Sequence, residues 1–205
     1  LVMLLNEENQ KRVARAIAAV EKDTDAEVVT VLARQSDDYR YIPMMWAALL
    51  SLLVPLALAF MPVGLDALET LLAQWTVLVV LAVLFRWPPL MMKLVPKRVK
   101  HWRAANLARR TFLDQGLHHT RGGHGVLIFV SEAEHYVEIL VDRGVAQHVP
   151  DETWKKIVDT FTAHVRQGEV LNGFLECIAS CGDQLIIKVP ATEKKNELPN
   201  HLVLL

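Results

Sequence analysis

Residues 41–65, YIPMMWAALLSLLVPLALAFMPVGL, and residues 70–85, TLLAQWTVLVVLAVLF, contain no charged side chain. An apolar run of about 18 or more residues is long enough to cross a bilayer as a helix. The second run reaches that length when its flanking residues are included. Trp75 and Trp87 are suited to the two membrane interfaces. We therefore predict a transmembrane helical hairpin over residues 41–92, with spans near 43–61 and 70–90. A buried hairpin in a soluble helical protein is the alternative.

Basic residues flank the predicted hairpin, whereas its turn carries only acidic ones. Seven Lys and Arg residues follow the second span with no Asp or Glu before Asp114: Lys93, Lys97, Arg98, Lys100, Arg103, Arg109 and Arg110. Positive charge close to a span stays in the cytoplasm, so we expect both flanks to be cytoplasmic. We interpret the basic run as a topology signal that contacts anionic lipid headgroups. The net charge of −1 argues against a nucleic-acid partner.

The part of the chain outside the hairpin is long enough for one soluble domain with its own core. That domain would be split in sequence, with residues 1–40 before the hairpin, residues 93–190 after it and a flexible tail over 191–205. Apolar periodicity predicts helices and strands in both parts. The predicted elements are a helix over 6–22, a strand over 27–33, an amphipathic helix from Pro96 to about Gly116, strands over 126–130 and 135–142, and helices following Pro150 and Gly168.

The order of these elements indicates an α/β domain with the hairpin inserted after the first strand. The run VLIFV at 126–130 is wholly apolar, which is typical of a strand covered on both faces. In the strand over 135–142, Val137, Ile139 and Val141 share one face, so the two strands form the clearest β-hairpin in the chain. The amphipathic helix is expected to lie along the membrane surface or on the sheet.

Residues 125–178, GVLIFVSEAEHYVEILVDRGVAQHVPDETWKKIVDTFTAHVRQGEVLNGFLECI, resemble the second half of the TPM domain. That family is named after thylakoid lumen and photosystem II repair proteins and an acetylcholine-receptor modulator. Residues 6–33, ending AEVVTVLA, resemble its first helix and strand. The hairpin and the ending GDQLIIKV…NELPNHLVLL are similar to a membrane-bound bacterial subgroup. The resemblance implies an α/β/α sandwich held in the bacterial inner membrane.

The resemblance also implies several activities. Some members of the family are reported to bind divalent metal, notably Ca²⁺, and some are assigned a phosphatase activity. Others take part in photosystem repair or receptor assembly. The sequence departs from the family pattern after the second strand of the hairpin, where Asp142 replaces a glycine and Ala146 replaces a glutamate.

Acidic residues at strand and helix ends are the candidates for a metal site. Asp142 closes a strand, Asp25 precedes one and Asp151 starts a helix, and a hard cation needs several such oxygen ligands together. Asp151 has a second interpretation, because an acid in the first turn stabilises a helix through capping and the helix dipole. Arg143 beside Gly144 is a candidate for binding an anion such as phosphate, and the alternative is a surface ion pair.

Two further clusters have a structural and a metal-binding interpretation. His118, His119 and His124 lie in a glycine-rich turn, where we favour a solvated loop over a zinc or copper site. Cys177 and Cys181 are one helical turn apart, and we favour packing in the core over metal binding.

No catalytic signature of a hydrolase occurs in the sequence, such as G-x-S-x-G or H-E-x-x-H. We therefore expect a membrane-anchored module that binds, assembles or maintains other membrane proteins, with a divalent metal as its candidate cofactor. The alternative is a metal-dependent phosphatase using Asp142, Asp151 and Arg143. A transport function is least expected. Ionisable residues within membrane spans usually mark ion pathways, and the runs at 41–65 and 70–85 contain no charged side chain.

Overall fold

The computed structural model describes residues 6–62, 64–192 and 202–205, and the chain divides into two compact units. One unit combines the segment that ends at Ser36 with the segment from His101 onward, and the other is Asp37–Lys100. The described helices and strands are, in chain order, α1 (Glu7–Glu21), β1 (Glu27–Ala33), α2 (Tyr41–Ser51), α3 (Val54–Ala59), α4 (Ala67–Leu84), α5 (Pro88–Leu94), α6 (Lys97–Asp114), β2 (Gly125–Ser131), β3 (Tyr136–Val141), α7 (Arg143–Ala146), α8 (Asp151–Gln167), α9 (Val170–Lys188) and β4 (Leu202–Leu204).

The first unit is built on a four-stranded sheet in the order β3-β2-β1-β4. β1 is parallel to both of its neighbours, with Glu27 opposite Gly125 on β2 and Thr30 opposite Leu202 on β4. β2 and β3 form the predicted antiparallel hairpin. The sheet is therefore mixed, and the fold is of the expected α/β class.

Both faces of the sheet are covered, as the apolar strands predict. The alternation of strand side chains sends Val126 and Ile128 into a core shared with α1, α8 and α9. Leu127 and Phe129 point to the opposite face and pack with Leu117 and with α6. Every residue of β1 and β2 is buried, which explains why neither strand shows a polar alternation in sequence.

The predicted faces of β3 are confirmed. Val137, Ile139 and Val141 join the core formed with α1, α8 and α9, whereas Tyr136 and Leu140 join the core beneath α6. The two faces are distinguishable in sequence because side chains alternate strictly along a strand.

The prediction of a flexible tail is wrong for its last residues. Leu202–Leu204 forms β4 on the open edge of β1, and two further bonds continue the ladder, from Leu205 N to Leu32 O at 3.0 Å and from Arg34 N to Leu205 O at 2.9 Å. A three-residue strand is too short to show a period in sequence, so only its partner identifies it. The part of the tail over 193–201 lies outside the described residues.

Helix α6 lies on the sheet with one face. Ala104, Ala108 and Thr111 are buried, whereas Trp102 is 57% exposed. The helix ends at Asp114, and Gly116 adopts a left-handed conformation with φ 71°.

The second unit is a set of apolar helices, α2 to α5 and the start of α6. The first predicted span is interrupted, because α2 ends at Ser51 and α3 begins at Val54 with Pro55 in its first turn. α4 begins with a capping box in which Asp66 Oδ1 accepts from Glu69 N at 2.7 Å and Glu69 Oε2 accepts from Asp66 N at 3.0 Å. Prolines Pro88 and Pro89 then start α5 as a separate helix.

Three stretches among the described residues are long and apolar enough to cross a membrane: Tyr41–Ala59, Ala67–Leu84 and Val170–Lys188. The first two have mean hydropathies of 2.1 and 2.0 and lie in the second unit. The third is α9, whose buried residues Phe174, Ile178 and Leu185 belong to the core of the first unit. Its apolar character is accounted for by packing within the domain.

Candidate functional site

Asp25 and Asp142, two of the acidic residues predicted to bind metal, lie at the same end of the sheet but next to different strands. Asp25 precedes β1 and Asp142 follows β3, and the strand directions bring both to the end of the sheet where β1 and β2 begin. β2 lies between β1 and β3, which separates these two strands by about 10 Å. The sheet therefore brings the two aspartates to the same end without bringing their carboxylates into contact.

Asp25 is engaged in holding the end of α9 to the start of β1. Its Oδ1 accepts from Thr192 N at 2.9 Å, and its Oδ2 accepts from the Thr192 hydroxyl. Beside it, the Thr24 hydroxyl donates to Val189 O and accepts from Ala26 N at 3.2 Å. These bonds give Asp25 a structural role at this junction.

Asp142 caps the short helix α7. Its backbone is extended, and its Oδ1 accepts from Arg143 N at 2.7 Å. Its Oδ2 lies 3.3 Å from the position that a Cβ on Gly123 would occupy, so it faces the glycine-rich turn. The segment that follows β3 is therefore a capped helical turn, in which the side chain of Arg143 is exposed.

The glycine-rich turn and α7 approach each other closely at Gly144. A Cβ on Gly144 would lie 2.2 Å from Gly122 O and 2.5 Å from His124 Cδ2, so only glycine fits. Within the described part of the chain, His124 Nδ1 is buried and has no hydrogen-bond partner. His148 Nδ1 lies 2.7 Å from Gly144 O, an acceptor, so that nitrogen carries the proton. Asp142 and Arg143 thus lie close to His124 of the glycine-rich turn and to His148, which follows α7.

Asp151 is the first residue of α8 and is exposed. Pro150 occupies the cap position, and no side chain caps this helix end. Of the two structural roles predicted for Asp151, favourable interaction with the helix dipole is the one that its position allows.

In the described ranges 6–62, 64–192 and 202–205, no group of three or more His, Cys, Asp or Glu residues is arranged to hold a metal ion. The rings of His118 and His119 are in contact at the exposed surface, with centroids 3.8 Å apart and planes tilted by 44°. Cys177 and Cys181 are buried in the core, with their sulfurs 4.0 Å apart. The contact between the two thiols, together with burial, raises the pKa of Cys177, which disfavours the reactive thiolate.

A polar cluster that sequence reasoning missed lies at the opposite end of the sheet, where β1 and β2 end. Glu134 is 5% exposed; its Oε1 accepts from Ser36 N at 3.1 Å, and its Oε2 accepts from the Ser131 hydroxyl. The hydroxyls of Ser36 and Ser131 are 2.8 Å apart. Ser36 is 95 residues from Ser131 in the chain, so no local spacing signals the cluster. Since Ser131 is fully buried, the cluster ties the end of β1 to the β2–β3 turn.

A second missed cluster lies on the outer surface of α8 and α9. His164 Nε2 is 2.8 Å from Glu176 Oε2, and His164 Nδ1 is 3.2 Å from Glu169 Oε2. The hydrogen bond with Glu176, followed by that with Glu169, raises the pKa of His164. A surface cleft of about 140 Å³ lies beside it, and its lining includes Phe161 and Gly173.

On the other side of the sheet, Tyr136 and Glu138 share a partly buried environment near Arg109. Burial, reinforced by the charge of Glu138, raises the pKa of Tyr136. Burial also raises the pKa of Glu138, while Arg109 acts in the opposite direction. These groups hold a proton more tightly than they would in water, because desolvation disfavours their charged forms.

The mixed sheet with helices on both faces, and the helix–glycine–helix end of the first unit, define an α/β domain. Residues 93–184 match the family model of the TPM domain. The chain is also similar to a solved structure, the NMR structure of BA42 protein from the psychrophilic bacterium Bizionia argentinensis. The TM-score is 0.60 at 18% identity, over 98% of this chain and 94% of that one, which shows a shared fold. The comparison with curated proteins finds no match.

The chain therefore contains a TPM domain, matched over residues 93–184. The matched segment starts at the end of α5 and includes α6, the β2–β3 hairpin, α7, α8 and most of α9. α1 and β1 lie before the matched segment, on the other side of the second unit in sequence.

Proposed function

We propose that the Asp37–Lys100 unit anchors the protein in a membrane and that the TPM domain serves as a binding module for the assembly or maintenance of other membrane proteins. One observation supports the proposed membrane anchor. None of the 18 residues of α4 is buried, although the helix is almost wholly apolar. Leu72 and Trp75 are each 58% exposed, and Val83 is 67% exposed.

A bilayer accounts for this surface better than water does. Each Å² of apolar surface left in water costs about 25 cal/mol, and a contiguous exposed apolar patch usually marks an interaction site. Helices satisfy their own backbone groups, which makes them suited to the hydrocarbon core. The break between α2 and α3 at Pro55 is compatible with a span, since prolines are tolerated in membrane helices.

The charge distribution favours a bacterial inner membrane protein with its TPM domain in the cytoplasm. The seven Lys and Arg residues after the second span face no acidic residue before Asp114. The turn at Asp66 and Glu69 would then lie outside. The bilayer and other membrane proteins are the partners in this proposal.

The anchor and its orientation are tested together by alkaline extraction and cysteine labelling in cells. We expect the protein to stay in the membrane pellet at alkaline pH. A Gly64→Cys variant should react with an impermeant maleimide in intact cells, whereas Lys155→Cys on α8 should react only after permeabilisation. No atom of the described residues outside the chain neighbours lies within 4 Å of a Cβ added at Gly64, and Lys155 is exposed, so both sites tolerate the change. Release at alkaline pH would refute the anchor, and the reverse labelling pattern would refute the orientation.

The binding function is tested by a photo-reactive amino acid placed in the cytoplasmic domain. Exposed positions on α8, such as Lys155, should yield discrete adducts with membrane proteins in cells if the domain is a binding module. A probe at Phe161, which is 1% exposed, is the matched control and should yield no adducts to other chains. Adducts that do not differ between these positions would contradict specific binding.

A divalent metal at the Asp142 edge of the sheet is a further part of the proposal, and a metal-dependent phosphatase is its alternative form. Asp142 supports it because one carboxylate oxygen faces the glycine-rich turn. We expect titration calorimetry with Ca²⁺, Mg²⁺ and Zn²⁺ to show binding that Asp142→Asn loses and that Asp151→Asn retains, because Asp151 is exposed at a helix start.

Hydrolysis of a phosphate ester that is abolished by chelation would favour the phosphatase alternative. Activity that persists after chelation and in Asp142→Asn would exclude the metal mechanism.

A further inference from the structure

The surface of α6 that faces away from the sheet carries a continuous stripe of large apolar and basic side chains. At about 100° per residue, Arg98, Trp102, Arg109 and Leu113 fall within an arc of about 60°. The buried residues Ala104, Ala108 and Thr111 lie on the other side of the helix. We call these four residues the outer stripe; it is about 22 Å long.

Two members of the outer stripe are large apolar residues exposed to solvent. Trp102 and Leu113 are each 57% exposed, on a helix that packs against the sheet through small residues. The guanidinium carbon of Arg103 lies 4.9 Å from the centre of the Trp102 ring. Tryptophan is enriched where a protein meets the headgroup region of a bilayer, because its ring is amphipathic. An exposed Trp and an exposed Leu, three helical turns apart, are the pattern of a helix that lies at an interface.

The charge around the outer stripe has one sign over a long stretch of chain. No Asp or Glu occurs from Thr70 to Leu113, and the next acid, Asp114, is 3.5 Å from Arg110. Arg98 and Arg109 are exposed members of the stripe. Arg109, in the second half of α6, also interacts electrostatically with Glu138 on β3. The amino-terminal half of α6 is therefore the more positive part of the helix. A surface of this composition complements a layer of negative headgroups.

We propose that the outer stripe of α6 binds the surface of a membrane that contains anionic phospholipids. Trp102 and Leu113 enter the headgroup region, while the arginines bind phosphates with their side chains extended toward them. The inference rests on the proposed membrane anchor, because only two residues separate α5 from α6 in the chain. Lipid binding by α6 would fix one face of the TPM domain against the membrane.

The layer of α8 and α9 provides a control on the other face of the same sheet. These helices pack into the core opposite to the one beneath α6. Lys155 on α8 is exposed and lies among residues of both signs, including Asp151 and Glu152. A probe at Lys155 should therefore stay in water when a probe on the outer stripe is buried in headgroups.

The test places a nitroxide at Trp102→Cys, or at Lys155→Cys, in the full chain reconstituted in lipid nanodiscs. The native cysteines are buried, and wild-type protein treated identically corrects for their labelling. In discs with phosphatidylglycerol, we expect the label at 102 to gain accessibility to oxygen and to lose accessibility to a water-soluble nickel complex. Discs of phosphatidylcholine alone, high salt, or the added change Lys97→Glu/Arg98→Glu should reverse that shift. The label at 155 should not respond.

The outcomes separate this inference from the anchor itself. A label at 102 that remains as accessible to nickel as the label at 155 in anionic discs overturns lipid binding by α6, even if the chain resists alkaline extraction. A chain released by alkaline extraction whose label at 102 still responds to anionic vesicles supports the outer stripe and refutes the anchor. Equal responses in neutral and anionic discs overturn the requirement for anionic lipid.

Discussion

His164 shows how a single residue makes the stability of the domain depend on pH. Its two ring nitrogens each face a carboxylate, Glu176 at 2.8 Å and Glu169 at 3.2 Å. A neutral imidazole has one N–H, so only the protonated ring can donate to both. The arrangement binds a proton and joins the end of α8 to α9.

Because these bonds raise the pKa of His164 above its ordinary value of 6.5, the folded domain binds a proton more tightly than the unfolded chain. The stabilising effect is complete below the unfolded pKa and is lost as pH rises through the folded pKa. We expect Glu176→Gln to lower the pKa of His164 and to reduce this loss. NMR titration of the His164 ring and thermal unfolding between about pH 6 and about pH 9 would measure both. A pKa of His164 that is the same in wild type and Glu176→Gln would contradict the assigned cause.

Gly144 illustrates a constraint that acts through backbone contact. A methyl group there would lie 2.2 Å from Gly122 O and 2.8 Å from Gly123 O, both backbone atoms, so a backbone segment must shift to admit it. Gly144→Ala should therefore lower the free energy of unfolding by about 1–3 kcal/mol. Ala146→Ser, an exposed position in the same short helix, should change it by less than about 0.5 kcal/mol. The urea midpoint of the detergent-solubilised protein measures both, and equal midpoints would show that the turn accommodates the methyl group.

At the scale of elements, the sequence predicts what is periodic and long. β3, α1, α8 and α9 are recognisable because one face of each is apolar with the period of its structure, and β2 is recognisable as a short, wholly apolar run. β4 has three residues and no such pattern, and the cluster of Ser36, Ser131 and Glu134 joins segments far apart in the chain. The candidate metal residues could be assigned to element ends, but the bond between Asp25 and Thr192 joins residues 167 positions apart, which no local sequence pattern reveals.

The three residues of β4 are expected to matter to stability more than their number suggests. Leu202 is 6% exposed and joins the core formed with α1, α8 and α9. Leu202→Ala should cost about 2–3 kcal/mol of unfolding free energy, at the low end for a buried leucine because the strand lies at an edge. Leu204→Ala, 38% exposed, is the control and should cost less than about 1 kcal/mol. Comparable losses in the two variants would mean that β4 does not contribute through Leu202.

At the scale of the whole molecule, two units with separate cores are interleaved in one chain. All four described strands belong to the unit that contains the TPM domain, and Tyr39, Ile42 and Val95 form a small core within the other. The apolar helices therefore contribute no strand to the described sheet.

We accordingly expect a chain in which a flexible linker replaces residues 41–92 to fold without detergent. Its far-ultraviolet spectrum should retain helix and strand, and NMR contacts between β1 and β2 should persist. A chain that aggregates and lacks these contacts would show that the second unit is required for the sheet to form.

The parallel pairing of β1 also sets an order of events during synthesis. Both neighbours of β1 follow the apolar helices, and Leu202 follows Ala33 by 169 residues. At 5–20 residues per second, β1 waits about 8 to 34 s for its second neighbour. Its exposed edges are a template for wrong pairing during that interval. A nascent chain would therefore benefit from a chaperone that covers β1 until its second neighbour has been synthesised.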